Sequence, residues 1–314
     1  MQQPIARPRA DHLLSMRDGR KLEVREYGDP DGEPALFFHG LIGSHHQASY
    51  IDAQAQGHGL RIIAPNRPGV GKSDFIARGS ALDAVPDVED LAEALGLGEF
   101  SVIGISGGTP YALAVLFRLT DRVRTATVIS GMGPTRLPGG LVAMDRRRRL
   151  ILEVGSRSPR LAWRAFAEEG RRFKADPERL LDRLVATWSA PDRKLFERRD
   201  VFELFLLDLH AVFTEGSGAI TLAHELALYR NYGVPLGGLP ASTRVVLWQG
   251  LADTIVPPSM AWGMARAIPN SEAHFVPGGH FMALEIADQI IARLMQLLDT
   301  PARSAPALAE GRPG

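Results

Sequence analysis

A serine stands among glycines in Gly104-Ile105-Ser106-Gly107-Gly108, directly after the apolar run Phe100-Ser101-Val102-Ile103. That run has the length and character of a short buried strand, and Thr109 to Thr120 has that of a helix. A G-x-S-x-G between strand and helix is the pattern of a nucleophile elbow. The turn is so sharp that the serine is held in a strained conformation, with its hydroxyl projecting from it. Gly104 and Gly108 carry no side chain to collide where strand and helix approach. The Gly107 N–H, at the start of the new helix, can then face a developing negative charge.

A serine hydroxyl is a poor nucleophile until a base takes its proton, and the base is usually a histidine oriented by a carboxylate. Two candidates lie downstream. Asp253 follows the predicted strand Arg244 to Trp248, and His280 follows the predicted strand Glu272 to Val276. Both fall just past strand C-termini, where open parallel sheets gather their sites. Taken alone, Asp253 is also a good turn former or helix N-cap, and His280 could be a surface loop residue. The paired Gly278-Gly279 before His280 indicates a loop shaped for backbone reasons. A second oxyanion donor should come from the loop after the third strand. His39-Gly40-Leu41-Ile42-Gly43 occupies that place, which makes the Leu41 N–H the candidate. His39, at a strand end ahead of the serine, reads as support for that loop rather than as the base.

The elements that must position these groups follow from the patterning. Leu13 to Arg17 and Leu22 to Tyr27 read as a hairpin about Asp18-Gly19. Ala35 to His39 and Arg61 to Ala64 read as strands, and Asp83 to Leu95 as a helix with Val85, Val88, Leu91, Ala92 and Leu95 on one face. Arg124 to Ser130 is a further strand. This alternation predicts a mostly parallel sheet covered on both faces. From about Leu137 to Tyr232 no strand is predicted. That stretch reads as helices broken at Ser158-Pro159, Asp176-Pro177, Ala190-Pro191 and Gly216-Ser217-Gly218. Alternation returns with Arg244 to Trp248, the helix Pro258 to Ile268, Glu272 to Val276, and an amphipathic helix from Phe281 to Leu298. The expected organisation is an α/β sheet domain in two parts, residues 1–134 and 237–300. A helical cap, 135–236, is inserted between them, and 301–314 forms a disordered tail rich in Pro, Ala and Gly.

Composition excludes several classes. The chain has 314 residues, 45% of them hydrophobic, and a formal net charge of zero, so it can bury a substantial core and offers no reason to expect nucleic acid. The absence of cysteine removes disulfides, thiolate metal sites and cysteine nucleophiles. Met1 to Arg9 lacks the apolar core of a signal peptide, and no apolar run approaches a membrane span. A cytoplasmic protein acting on a small molecule, with neither metal nor cofactor, is the expectation. Oligomeric state is not legible.

With the elbow, Asp253, His280 and the His39-Gly40 loop assembled, the chain resembles the α/β-hydrolase fold superfamily over about residues 10 to 300. Asn66-Arg-Pro-Gly-Val-Gly-Lys-Ser73 is similar to that family's Asp-Arg-x-Gly-x-Gly-x-Ser loop, with Asn66 in place of the usual Asp. Gly104 to Tyr111 resembles the elbow of capped bacterial esterase- and aminopeptidase-like members. The resemblance implies a doubly wound sheet with a helical cap and a Ser106-His280-Asp253 triad. It also implies Leu41 and Gly107 as backbone oxyanion donors, and hydrolysis of a small, mostly apolar carboxylic ester through an acyl-enzyme. Serine at the elbow argues against halide displacement and epoxide opening, which use Asp there in this family. The same triad in related proteins also cleaves C–C bonds, removes N-terminal residues, or runs cofactor-free lyase and perhydrolase reactions. A non-catalytic receptor on the same scaffold is the rival from another class.

Lesser signals have plain expectations. Arg146 to Arg149 reads as a solvated helix face. Adjacent His45-His46 gives no metal pattern, but could line the pocket mouth. Met132, Phe213, Trp262 and Phe281 are candidate pocket walls. An aminopeptidase would need cap acids aimed at the substrate amine, and Glu168, Glu169 and Glu203 are available.

Overall fold

The computed structural model describes residues 5–230 and 232–299. Its first half alternates as the patterning predicts: β1 (Ala10–Ser15), β2 (Lys21–Gly28), β3 (Glu33–Phe38), short helices α1 (His46–Ser49) and α2 (Asp52–Gly57), β4 (Leu60–Pro65), α3 (Val85–Ala94), β5 (Phe100–Ile105), α4 (Thr109–Arg118) and β6 (Val123–Ile129). The helices α5 (Arg146–Arg157), α6 (Pro159–Ala175), α7 (Pro177–Val185), α8 (Ala190–Leu195), α9 (Arg199–His210) and α10 (Ala219–Arg230) come next. The sheet then resumes with β7 (Arg244–Gly250), α11 (Pro258–Ala267), β8 (Ser271–Val276) and α12 (Ala283–Asp299), which is kinked at Ile286. The predicted tail 301–314 lies outside the described residues.

One eight-stranded sheet runs in the order β1-β2-β4-β3-β5-β6-β7-β8. The β1–β2 and β2–β4 pairs are antiparallel, and every pair from β4 to β8 is parallel. Strands β3 to β7 are buried on both faces, which is why they read as unbroken apolar runs. One face packs against α2 and α12 through Ala55, Ile290, Ile291 and Leu294. The other packs against α3, α4 and α11 through Val88, Leu91, Leu113, Leu116 and Met264. The fold class is the α/β arrangement expected from the alternation.

Proline and polar caps divide the helical segment. Proline occupies the first turn of α6, α7 and α8, where a missing N–H costs nothing. Asp176 and Ser189 accept backbone N–H bonds ahead of α7 and α8. Val70 reaches into the separate apolar cluster of this segment, built on Phe173, Trp188, Phe196, Phe205 and Phe213. Helices α1 and α2 have no counterpart in the sequence patterning, because each is too short to show a helical period.

Because β3, β5, β6, β7 and β8 are mutually parallel, their C-terminal ends share one edge. Residues 39–43, Ser106, Ser130, Asp253 and His280 all follow those ends. The β5–α4 turn demands glycine. A Cβ on Gly104 would lie 2.9 Å from the Ala112 Cβ, and one on Gly108 would overlap the Phe38 carbonyl oxygen. Gly108 itself has φ −80° and ψ −13°, a conformation in which alanine is ordinarily preferred. Gly108→Ala is therefore expected to destabilise the fold by about 2–4 kcal/mol. Urea unfolding measures this, and a gain in stability would show that α4 and β3 are not in contact as described.

Candidate functional site

Ser106 has φ +50°, a left-handed conformation that costs a β-carbon-bearing residue energy and persists only where packing enforces it. Gly104 and Gly108 supply the close packing, and Met132 N–H donates to the Ser106 carbonyl at 2.9 Å. The side chain opens onto a cavity of about 190 Å³ that His280 also lines. Serine and histidine are neighbours across this cavity rather than hydrogen-bond partners among the described residues.

Asp253 is 4% exposed and His280 7% exposed. Asp253 Oδ2 accepts from His280 Nδ1 at 2.8 Å and from Gln249 Nε2 at 3.0 Å. Its Oδ1 accepts from the N–H groups of Ile255, at 2.8 Å, and Val256, at 2.9 Å. Asp253 thus shapes its own turn and holds the imidazole, so the turn-forming reading and the imidazole contact coexist. The contact puts the ring proton on Nδ1 and leaves Nε2 free to accept. Burial alone would push the His280 pKa down, but the adjoining Asp253 carboxylate, with help from Asp192, raises it above the ordinary 6.5.

The loop after β3 is fixed by its carbonyls. Arg67, 3% exposed, donates through its guanidinium to the His39 carbonyl and, at 3.0 Å, to the Gly40 carbonyl. Arg67 N–H donates to His39 Nε2 at 3.2 Å, so the His39 proton sits on Nδ1, which donates to the Gly40 carbonyl at 2.9 Å. Burial, assisted by the Arg67 charge, holds the His39 pKa well below its usual range and keeps the ring neutral. Gly40 N–H donates to Gln47 Oε1 at 2.8 Å. In a trans peptide C=O and N–H point in opposite directions. With the Gly40 carbonyl turned toward Arg67, the Leu41 N–H faces the other way. Leu41 N lies 2.9 Å from where a Cβ on Gly107 would fall, so the two candidate oxyanion donors are adjacent.

The remaining cavity wall is largely apolar and includes Ile105, Ile129, Leu184, Trp188, Phe205 and Phe281. Several expectations need correction. Of the four candidate wall residues, only Phe281 lines this cavity. Met132 is buried in the main core cluster, Phe213 belongs to the helical-segment cluster, and Trp262, 57% exposed, stacks on Phe275. His45 and His46 line a separate charged hollow with Glu23, Arg25 and Lys72, and His45 Nδ1 is bonded to the Tyr27 hydroxyl at 2.8 Å. Arg146, Arg147 and Arg149 are solvated, whereas Arg148 turns inward to the cavity and donates to the Thr187 carbonyl at 2.7 Å. No spacing within four consecutive arginines singles out the one that turns in. Glu168 and Glu169 pair with Arg171 and Arg172, and Glu203 with Arg199, on exposed faces.

Among the described residues no group of three or more His, Asp or Glu side chains could hold a metal ion, and no helix is long and apolar enough to cross a membrane.

Known proteins share this framework. The chain is 26% identical over 312 residues to a proline iminopeptidase of Neisseria meningitidis serogroup B, covering 88% of this chain and 92% of that protein. It is 25% identical over 293 residues to a 2-hydroxymuconate semialdehyde hydrolase of Pseudomonas putida, covering 88% and 90%. The crystal structure of a bromoperoxidase from Bacillus anthracis superposes with a TM-score of 0.68 at 20% identity, over 93% of this chain and all of that one. A family model for the α/β hydrolase fold matches residues 34–286. On this match, and with a mostly parallel eight-stranded sheet flanked by helices, the chain belongs to the α/β-hydrolase fold family and is a hydrolase.

Proposed function

We propose that this hydrolase cleaves a small, mostly apolar carboxylic ester through an acyl-enzyme on Ser106. The observation that carries the reading is the Asp253–His280 contact at 2.8 Å, with the imidazole and Ser106 lining one apolar cavity. His280 Nε2 takes the Ser106 proton as the hydroxyl oxygen attacks the ester carbonyl carbon. The Leu41 and Gly107 N–H groups stabilise the oxyanion. As the carbonyl re-forms, the C–O bond to the alcohol breaks and His280 gives its proton to the departing oxygen. Water, deprotonated by the same nitrogen, then attacks the acyl-serine, and the acid and free Ser106 are released. Substrate must tighten the serine–histidine approach, as is common in sites seen without ligand.

The helical segment serves as the cap, since Arg148, Leu184, Trp188 and Phe205 come from it to the cavity wall. The cavity volume of about 190 Å³ suits a short acyl or alcohol group; pockets for larger ligands run to roughly 300–1,000 Å³. Removal of an N-terminal residue, the activity named for several relatives, is less well supported. A substrate ammonium needs a carboxylate, and the described cavity wall offers the Arg148 guanidinium instead. A receptor role leaves unexplained why the strained serine, the bonded Asp–His pair and two converging N–H groups meet at one cavity.

Ser106→Ala is expected to lower kcat on short p-nitrophenyl esters by about 10⁴-fold or more, with the fold intact by circular dichroism. Residual turnover within about tenfold of wild type would remove Ser106 from the mechanism. The base must be neutral to accept a proton, and its pKa is raised, so activity is lost as pH falls through that raised value. The acid limb of kcat/KM should therefore lie above pH 6.5, the ordinary histidine value. A limb below that value, measured across the pH range on one ester, contradicts this account of the His280 environment.

A further inference from the structure

The backbone at His280 is held from two sides. Ser130, the residue after β6, has φ +46° and donates through Oγ to the His280 carbonyl at 2.8 Å. The other side is held by the helical segment. Asp192, in α8, is 1% exposed. Its Oδ2 accepts from the His280 N–H at 3.0 Å and its Oδ1 from the Phe281 N–H at 3.0 Å. Ser189 Oγ donates to Asp192 Oδ2 at 2.6 Å. A buried carboxylate is costly unless its lone pairs are filled. Here two consecutive amides of the sheet domain help to fill them. The glycine at 279 leaves the room, because a Cβ there would overlap the Asp192 carboxylate.

We propose that Asp192 is a positioning residue for the base: it fixes the His280–Phe281 backbone and sets a second negative charge beside the imidazole. This rests on His280 acting as the base. Charged and titratable groups face that ring from several elements. Asp253 comes from the loop after β7, Asp192 from α8, Arg148 from α5 and the Ser106 hydroxyl from the elbow. The two carboxylates favour the charged ring and the Arg148 guanidinium opposes it. Asp253 controls the tautomer through Nδ1, and Asp192 controls where the ring is anchored. The machinery on the sheet is therefore complete only with the helical segment seated, because one of its anchors belongs to that segment.

The test is Asp192→Asn in the full chain, with two readouts. The titration midpoint of the His280 ring is followed by NMR on histidine-labelled protein, assigned by its loss in His280→Gln. This needs no substrate, so it remains readable even if Ser106→Ala shows the hydrolase mechanism to be wrong. The midpoint is expected to fall by about half a pH unit or more. On a short ester, kcat is expected to fall about tenfold with KM nearly unchanged, and the acid limb of kcat/KM to move with the NMR midpoint. An unmoved midpoint overturns the proposal whatever happens to kcat, because a loss of rate alone is what a packing defect produces. Should Asp192→Asn fail to fold, Asp192→Ser removes the same charge with a smaller polar side chain. A lowered His280 midpoint in that variant supports the proposal, and an unshifted one overturns it.

Discussion

A single buried carboxylate organises the C-terminal edge of this sheet. Asp253 accepts from two backbone amides, one side-chain amide and the His280 ring. Those four donors satisfy its oxygens, so the charge can remain in a largely dry site at an acceptable cost. They also bind three features together. The turn from Asp253 to Val256 takes its shape from Oδ1, the end of β7 is tied in through Gln249, and the imidazole is locked in one tautomer. Without that carboxylate the imidazole would be a buried ring of depressed pKa, free to present either nitrogen. In the proposed mechanism the strain at Ser106 serves chemistry only because an imidazole of fixed orientation lies across the same cavity.

A second set of buried charges fixes the other half of the cavity. Arg67 spends its donors on the His39 and Gly40 carbonyls, lies over the Tyr111 ring at 5.0 Å, and pairs with Glu225 of α10 at 3.4 Å. Tyr111, in the first turn of α4, donates to the same Glu225 at 2.5 Å. The loop after β3, the helix after the elbow and the inserted segment thus meet at one guanidinium. This arrangement orients a single peptide plane, with the Gly40 carbonyl inward and the Leu41 N–H toward Gly107. Asn66, which departs from the usual aspartate of the family, still accepts from the His45 N–H at 2.6 Å and donates to Glu23 at 2.7 Å. An amide does here what a carboxylate could do only in part, because Glu23 supplies the negative charge.

What the sequence made legible follows from which constraints are local. Glycines at 104 and 108 are demanded by two backbones approaching each other, and such a demand writes itself into a five-residue pattern. Asp253 and His280 stand just after two predicted strands, so their place at the sheet edge followed from the strand patterning. Asp192 could not be read this way. It is one acid in a charged, helix-rich stretch, and its amide partners lie 88 and 89 residues away. Arg148 is equally hidden among identical neighbours. The misassigned wall residues share one cause: which aromatic faces a cavity depends on how helices pack, and Phe213 and Trp262 have the composition of wall residues without the location. His45 and His46 follow the loop after β3 in sequence, but they line a different hollow.

The claim on which the account rests is that Ser106 is the nucleophile, made reactive by its place opposite an oriented imidazole. Active-site titration with diethyl p-nitrophenyl phosphate tests it most directly, because the reagent releases one p-nitrophenolate for each serine it phosphorylates. The account expects one equivalent released per chain, and peptide mass spectrometry placing the diethylphosphoryl group on Ser106. Stoichiometric release with the label on another residue, or no covalent label under conditions where the protein still turns over esters, would contradict it.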